Sequence, residues 1–217
     1  MLRPGRELLL LVGFLVVGCA ANPNIRVRRT SDGRLQVDGP LAGPFPDTET
    51  LAAHACELMT GQGGASAGMA GSEYCALHYY APDEQAYYLS YLSDVKRQFD
   101  TTAQKTCEMP GTVNDPARRT VIILGGDHTH PHNRRFSRVD LSGRWYPARA
   151  VDKKTGQVFE RDLYLFFKEG TGECRAYRFN YATREILALR EGRWVVIGRV
   201  VNDEGRIEML DGKDWLP

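Results

Sequence analysis

One run of the chain concentrates residue types that bind metals: Asp127-His128-Thr129-His130-Pro131-His132-Asn133, followed at a short distance by Ser137-Arg138-Val139-Asp140. His128 and His130 are two apart, so on an extended strand both rings project from one face, with Cα atoms ~7 Å apart. Imidazoles placed in this way can close on one ion at the ~2.0 Å of a zinc–nitrogen bond. Pro131 cannot donate to a central ladder, so the chain must turn away there. Ser137 is a good helix N-cap, which puts Asp140 at the third helical position, where the positive helix end favours a carboxylate. Two histidines and one carboxylate, with a fourth corner left for water, make the donor set of a catalytic zinc site; a closed structural site would need a fourth protein ligand. An ion there lowers the pKa of its water toward ~7 and polarises a carbonyl. A base must still take the proton, and Glu73 is the candidate.

This pattern resembles the signature of the JAMM (MPN-plus) metallopeptidases, an upstream glutamate followed much later by H-x-H-P, a short spacer and S-x-x-D. The matching residues are Glu73, then His128-Thr129-His130-Pro131, the spacer 132–136, and Ser137-Arg138-Val139-Asp140. The stretch Glu73-Tyr74-Cys75-Ala76-Leu77 is similar to the family's E-x-x-G/A-L strand. The resemblance covers roughly 48–142 and extends loosely to 168. It implies that His128, His130 and Asp140 bind zinc, that Glu73 is general base and acid, and that Ser137 helps to hold the oxyanion of a tetrahedral intermediate. The chain departs from the pattern in two ways. Phe136 stands where the family often has proline, and Ser142-Gly143 interrupts the helix that usually follows the motif.

The neighbouring polar residues have plainer readings. His132 is expected on an exposed loop, and Arg134, Arg135 and Arg138 on a solvated rim. Asp127 is either an orienter of a ligand imidazole or a turn carboxylate. His54 and His78 are expected to pack, as are Tyr79, Tyr80, Tyr87, Tyr88 and Tyr91.

The elements that must position the site follow from periodicity. Ile25, Val27, Leu35 and Val37 alternate with polar residues around Ser31-Asp32-Gly33, which predicts a hairpin. The Gly- and Pro-rich residues 39–47 read as a stiff connector. From Asp47 or Thr48, the residues Leu51, Ala52, Ala55, Leu58 and Met59 fall at helical spacing up to Gly61, and a glycine-rich loop follows to Gly71. Residues 73–80 and 86–92 read as a hairpin of strands. Residues 93–118 read as an irregular excursion, and 120–124 as a buried central strand closed by Gly125-Gly126. Further strands are expected at 144–151, 158–168, 174–180, 194–201 and 207–210. The expectation is an α+β fold, a mostly antiparallel or mixed sheet flanked by a few helices; the family resemblance implies a JAMM (cytidine-deaminase-like) core.

The 217 residues, 42% hydrophobic and 25% charged, suit one globular domain and exclude a disordered or fibrous chain. Lys and Arg number 28 against 27 for Asp and Glu, so no basic field exists to hold nucleic acid. An HNH-type nuclease is further disfavoured because Asn133 is too close to His128 to complete its ββα spacing. Arg3 and Arg6 precede an apolar run, Leu8 to Val17, too short for the ~20 residues of a spanning helix. It ends in Val16-Val17-Gly18-Cys19, which resembles the lipobox of bacterial lipoproteins. That resemblance implies a signal peptide over 1–18, lipidation of Cys19, membrane attachment through it, and an envelope location, most naturally the outer membrane. Residues 19–47 are then a lipid-anchored segment and linker, and 48–217 the domain, with a β-rich extension from 144. Cys56, Cys75, Cys107 and Cys174 allow two disulfides in an oxidising compartment, in any of three connectivities. None has C-x-x-C spacing, which argues against a cysteine-built zinc site.

Together these features lead to the expectation of an envelope-anchored zinc hydrolase acting on a peptide, isopeptide or amide bond of a peptide or protein substrate. The competing expectation is a non-catalytic envelope interaction module of the same fold that keeps the metal for stability.

Overall fold

The computed structural model describes residues 21–97, 101, 104–143 and 147–210. The expected signal peptide over 1–18, the Val16-Val17-Gly18-Cys19 motif, Trp145, Tyr146 and Trp215 lie outside them. Strands β1 (Val27–Arg29) and β2 (Leu35–Asp38) form the expected hairpin, with Leu35 and Val37 buried. The expected connector over 39–47 instead carries a strand, β3 (Ala42–Phe45). Pro44 is tolerated because β3 is an edge strand, where a missing N–H costs no central ladder bond.

Helix α1 (Thr48–Thr60) starts where Asp47 accepts from the Thr50 N–H at 2.7 Å and satisfies a free donor of the first turn. Its apolar stripe, Leu51, Ala52, Ala55, Cys56 and Met59, is fully buried. β4 (Cys75–Ala81) and β5 (Ala86–Leu89) make the expected hairpin. β6 (Thr112–Asn114) arises within the stretch expected to be irregular and joins β2 in parallel, completing a three-stranded sheet.

β7 (Ile122–Thr129) does not stop at its glycine pair; it runs through Gly125-Gly126 to the first site histidine and beyond. Both glycines serve close approach in the sheet, not a turn. A Cβ on Gly125 would lie 1.8 Å from the Asp162 carbonyl oxygen, and one on Gly126 would lie 2.5 Å from Met109 Sδ.

After α2 (Arg138–Ser142), β8 (Arg149–Val151) and β9 (Val158–Glu160) pair with each other as a separate ribbon. Then come β10 (Asp162–Lys168), β11 (Cys174–Asn180), β12 (Glu185–Arg190), β13 (Arg193–Val200) and β14 (Ile207–Met209). β12 was not anticipated. Its Leu, Ala, Glu and Arg residues favour helix, but a seat between β11 and β13 overrides that weak preference.

The main sheet has nine strands in the order β14-β13-β12-β11-β10-β7-β4-β5-β3, antiparallel throughout except for the β7–β10 pair. Helix α1 covers one face and packs on Tyr164, Phe166, Leu89, Leu92 and Ala176. On the other face Leu163, Leu165, Phe179 and Ile186 pack under Phe136 and Leu141, which come from the segment after the histidines. Two disulfides tie the layers together. Cys56–Cys174 fastens α1 to β11, and Cys75–Cys107 fastens the 93–111 excursion to the start of β4.

The α+β expectation, with its helix-flanked JAMM core, is therefore corrected. The described residues are 40% strand and 12% helical, in three sheets with two α-helices. One of those helices is only five residues long. The second sheet face is covered by an irregular segment and short α2, because Gly143 ends that helix before it can form a layer.

Candidate metal centre

The β7 ladder sets the site. His128 pairs with Cys75 of β4 on one side and with Leu165 of parallel β10 on the other. The alternation of β7 sends Asp127 to the α1 face and His128 to the opposite one. His130 continues the register by donating its backbone N–H to the Phe166 carbonyl at 3.0 Å, which keeps its ring on the face of His128. Pro131 then turns the chain, as expected.

Ser137 caps α2 with a reciprocal capping box: its Oγ accepts from the Asp140 N–H at 3.2 Å, and its own N–H donates to Asp140 Oδ2 at 2.6 Å. The cap aims the carboxylate at the histidines. Asp140 Oδ2 lies 3.6 Å from Nε2 of His128 and 3.6 Å from Nε2 of His130, and the two Nε2 atoms are 3.2 Å apart. Bonds of about 2.0–2.1 Å to a tetrahedral zinc ion imply donor separations of about 3.3 Å, so the three edges fit one ion. His128, His130 and Asp140 are also the group of mutually close donors among the described residues. Glu73 stands beside it, its Oε1 3.6 Å from His130 Nε2.

Each imidazole is turned so that Nε2 faces the centre. His128 Nδ1–H donates to the Tyr164 carbonyl at 2.8 Å, and His130 Nδ1–H donates to Asn133 Oδ1 at 3.2 Å. These partners fix the tautomer that ligation needs. Asp127 does not orient a ligand imidazole. It lies on the α1 face with both carboxylate oxygens 3.2 Å from His78 Nδ1, and the His78 ring stacks on Tyr164.

Charge in the centre is balanced locally. Burial and the neighbouring His128 hold His130 down at about 4, so it is neutral at neutral pH. Burial would also lower His128, but the Asp140 carboxylate outweighs it and raises His128. Burial would raise Asp140, but His128, His130 and the Ser137 amide hold it well below the usual carboxylate range. Neutral His130 thus presents a lone pair beside the ionised Asp140, with His128 held toward its protonated form as the carboxylate's counter-charge; a divalent cation would take the place of that proton.

The donors open onto a cavity of about 340 Å³. Ser137 lines it, and since the cap uses Ser137 Oγ as an acceptor, its O–H remains to donate there. His132 also lines it and is half-buried, which corrects the exposed-loop expectation. Arg134 pairs with Glu169 at 3.4 Å, whereas Arg135 and Arg138 are exposed as expected. His54 is exposed against Phe45; the tyrosines pack, with Tyr79 and Tyr88 stacked and fully buried.

The sequence reading thus chose residues the fold does bring together. Asn133, the Tyr164 carbonyl and the cavity lining from Arg97 and from residues between 104 and 109 were not legible in the sequence. The position of Asn133, three residues past His130 across a proline turn, was the one available clue. Compared with protein-family models, curated proteins and solved structures, the chain matches none. No helix among the described residues is long and apolar enough to cross a membrane.

Proposed function

We propose that the protein is a zinc-dependent hydrolase of a peptide, isopeptide or amide bond, with His128, His130 and Asp140 as the metal ligands. The observation that carries this reading is the triangle of 3.2, 3.6 and 3.6 Å between the three donor atoms, with a carboxylate and a cavity beside it. The JAMM-like residue pattern supports the same roles, here on a β-rich sheet and not on that family's core. A zinc ion held by these residues would supply Lewis acidity toward a carbonyl and toward water.

The chain's own groups do the remaining work. Glu73 Oε1 lies 3.6 Å from His130 Nε2, at the edge of the ligand triangle, where it can take the proton of the attacking water and return it to the leaving amine. The Ser137 hydroxyl donates to the oxygen on which negative charge develops, a contribution of ~10²–10³ in rate when one such donor is removed. Asn133 and the Tyr164 carbonyl hold the rings in place, so little reorganisation is needed when substrate arrives.

The charged leader, the apolar run and the Cys19 motif support a lipid-anchored envelope protein. Two disulfides in the folded domain fit the oxidising side of a membrane.

The test is metal analysis with peptide-library hydrolysis. About one zinc per chain is expected in the wild type, none in a His128→Ala, His130→Ala double variant, and full occupancy without turnover in Glu73→Gln. Undiminished hydrolysis by Glu73→Gln would remove that residue from the mechanism. If chelation lowers the melting temperature but no amide is ever cleaved, the protein is the non-catalytic module.

A further inference from the structure

The cavity beside the donors has a second chemical feature. Part of its lining comes from Arg97 and from residues between 104 and 109, where the Cys75–Cys107 disulfide ties the chain to β4 at the strand position opposite His128. Lys105 and Arg97 both line the cavity there. Glu108 is held below the usual carboxylate range chiefly by its hydrogen bond to Arg29, with Arg97 adding to the effect, so part of the Arg97 charge is already matched. Lys105 is different: it is half-buried, it lines the cavity, and among the described residues it has no ion-pair partner. The acidic groups on the lining, Glu73 and Asp140, are turned toward the histidines. A half-buried ammonium without a carboxylate loses solvation with no compensating contact, and an anion entering the cavity would supply one.

We propose that Lys105 selects substrates carrying a carboxylate close to the scissile bond, with Arg97 adding to the positive field. This rests on the hydrolase reading for what is cleaved, but the recognition itself does not need turnover. The cavity sets the range. A sphere of 340 Å³ is about 9 Å across, and a residue in extended chain spans about 3.3–3.6 Å, so the anionic group falls within about two residues of the bond at the metal ligands. Both a chain-terminal carboxylate and an acidic side chain present this chemistry.

The experiment uses the full chain with Glu73→Gln to stop turnover, zinc-loaded, titrated by calorimetry with two matched probe pairs. One pair is acetyl-Ala-Ala against its carboxamide, and the other is acetyl-Ala-Glu-amide against acetyl-Ala-Gln-amide. The carboxylate member of at least one pair should bind about tenfold tighter, the effect of one charge-assisted contact. Preference in the first pair assigns a terminal carboxylate; preference in the second assigns an acidic side chain. Because a carboxylate can also bind zinc directly, the preference counts only if Lys105→Ala removes it and Lys105→Glu inverts it at unchanged zinc content. Equal binding within both pairs, or a preference that survives Lys105→Ala, overturns the proposal even if the protein hydrolyses amides. Should the protein hold no zinc, the hydrolase reading fails, and the same titrations on the metal-free chain still decide the role of Lys105.

Discussion

Asn133 makes a sharp test of the proposed metal centre because its side chain hydrogen-bonds one of the proposed ligands, His130, without being a donor to the ion itself. Its Oδ1 accepts from His130 Nδ1 at 3.2 Å and from the Arg135 N–H at 3.0 Å. Asn133→Ala removes the acceptor that keeps the proton on Nδ1, so the His130 ring can rotate or adopt the tautomer that points a proton at the ion. Loss of such a supporting contact lowers metal affinity by about 10–100-fold, or about 1.4–2.8 kcal/mol at 1.4 kcal/mol per decade. Folding stability should change less, because Asn133 is only half-buried and the Arg135 amide it releases is exposed. Asn133→Asp keeps an acceptor in place and should retain wild-type affinity or better. Competition against a chromophoric zinc chelator measures all three proteins at one pH. An Asn133→Ala affinity within twofold of wild type would refute the claim that this contact fixes the ligand, as would equal losses in the Ala and Asp variants.

Other expectations follow from the same structure. Gly125→Ala places a methyl 1.8 Å from the Asp162 carbonyl, so β7 and β10 must separate; urea unfolding should show a loss of about 3 kcal/mol or failure to fold. Asp162 is raised to about 6, chiefly by burial, with Arg178 at 3.0 Å opposing. The folded state therefore holds that proton more tightly than the unfolded chain, so this group's stabilisation is complete below about pH 4 and is lost as pH rises through about 6. Asp162→Asn should accordingly gain on the order of 3 kcal/mol relative to wild type between pH 4 and pH 8, and a flat difference curve in chemical denaturation would refute the assignment. Removing Cys56–Cys174, with a sequence separation of 118, should cost about 5 kcal/mol by loop entropy, and removing Cys75–Cys107, with a separation of 32, about 4 kcal/mol. Thermal melts of the paired serine variants check both. Ser137→Ala should reduce turnover about 10²-fold or more while costing about 1 kcal/mol from the lost cap; zinc retained with unchanged turnover would exclude its hydroxyl from the reaction.

Local signals carried well where a residue's role depends on its neighbours in the chain. Asp47 and the stripe from Leu51 to Met59 specify α1, because capping and amphipathicity are decided within four residues. The Ser137 capping box behaves likewise, and it aims Asp140. Signals failed where the deciding contact was distant. Gly125-Gly126 reads as a break unless Asp162 and Met109 are known to press on it. Residues 185–190 carry no strand expectation from the sequence, and it is their place between β11 and β13 that makes them one, while the Gly–Pro connector becomes a strand because β5 offers an edge.

What the sequence determined by itself is the donor set: His128 and His130 share a face by the two-residue period of a strand, and Asp140 reaches them from the first turn of a capped helix. Only the tertiary structure decided that Tyr164, 36 residues from His128, orients that ring. It also decided that a disulfide brings Lys105 to the cavity, and that a nine-stranded sheet rather than helices surrounds the centre. The division has one physical cause. Backbone periodicity and capping act over a few residues and are written locally, while hydrogen bonds and close approach between strands depend on which segments a fold makes neighbours.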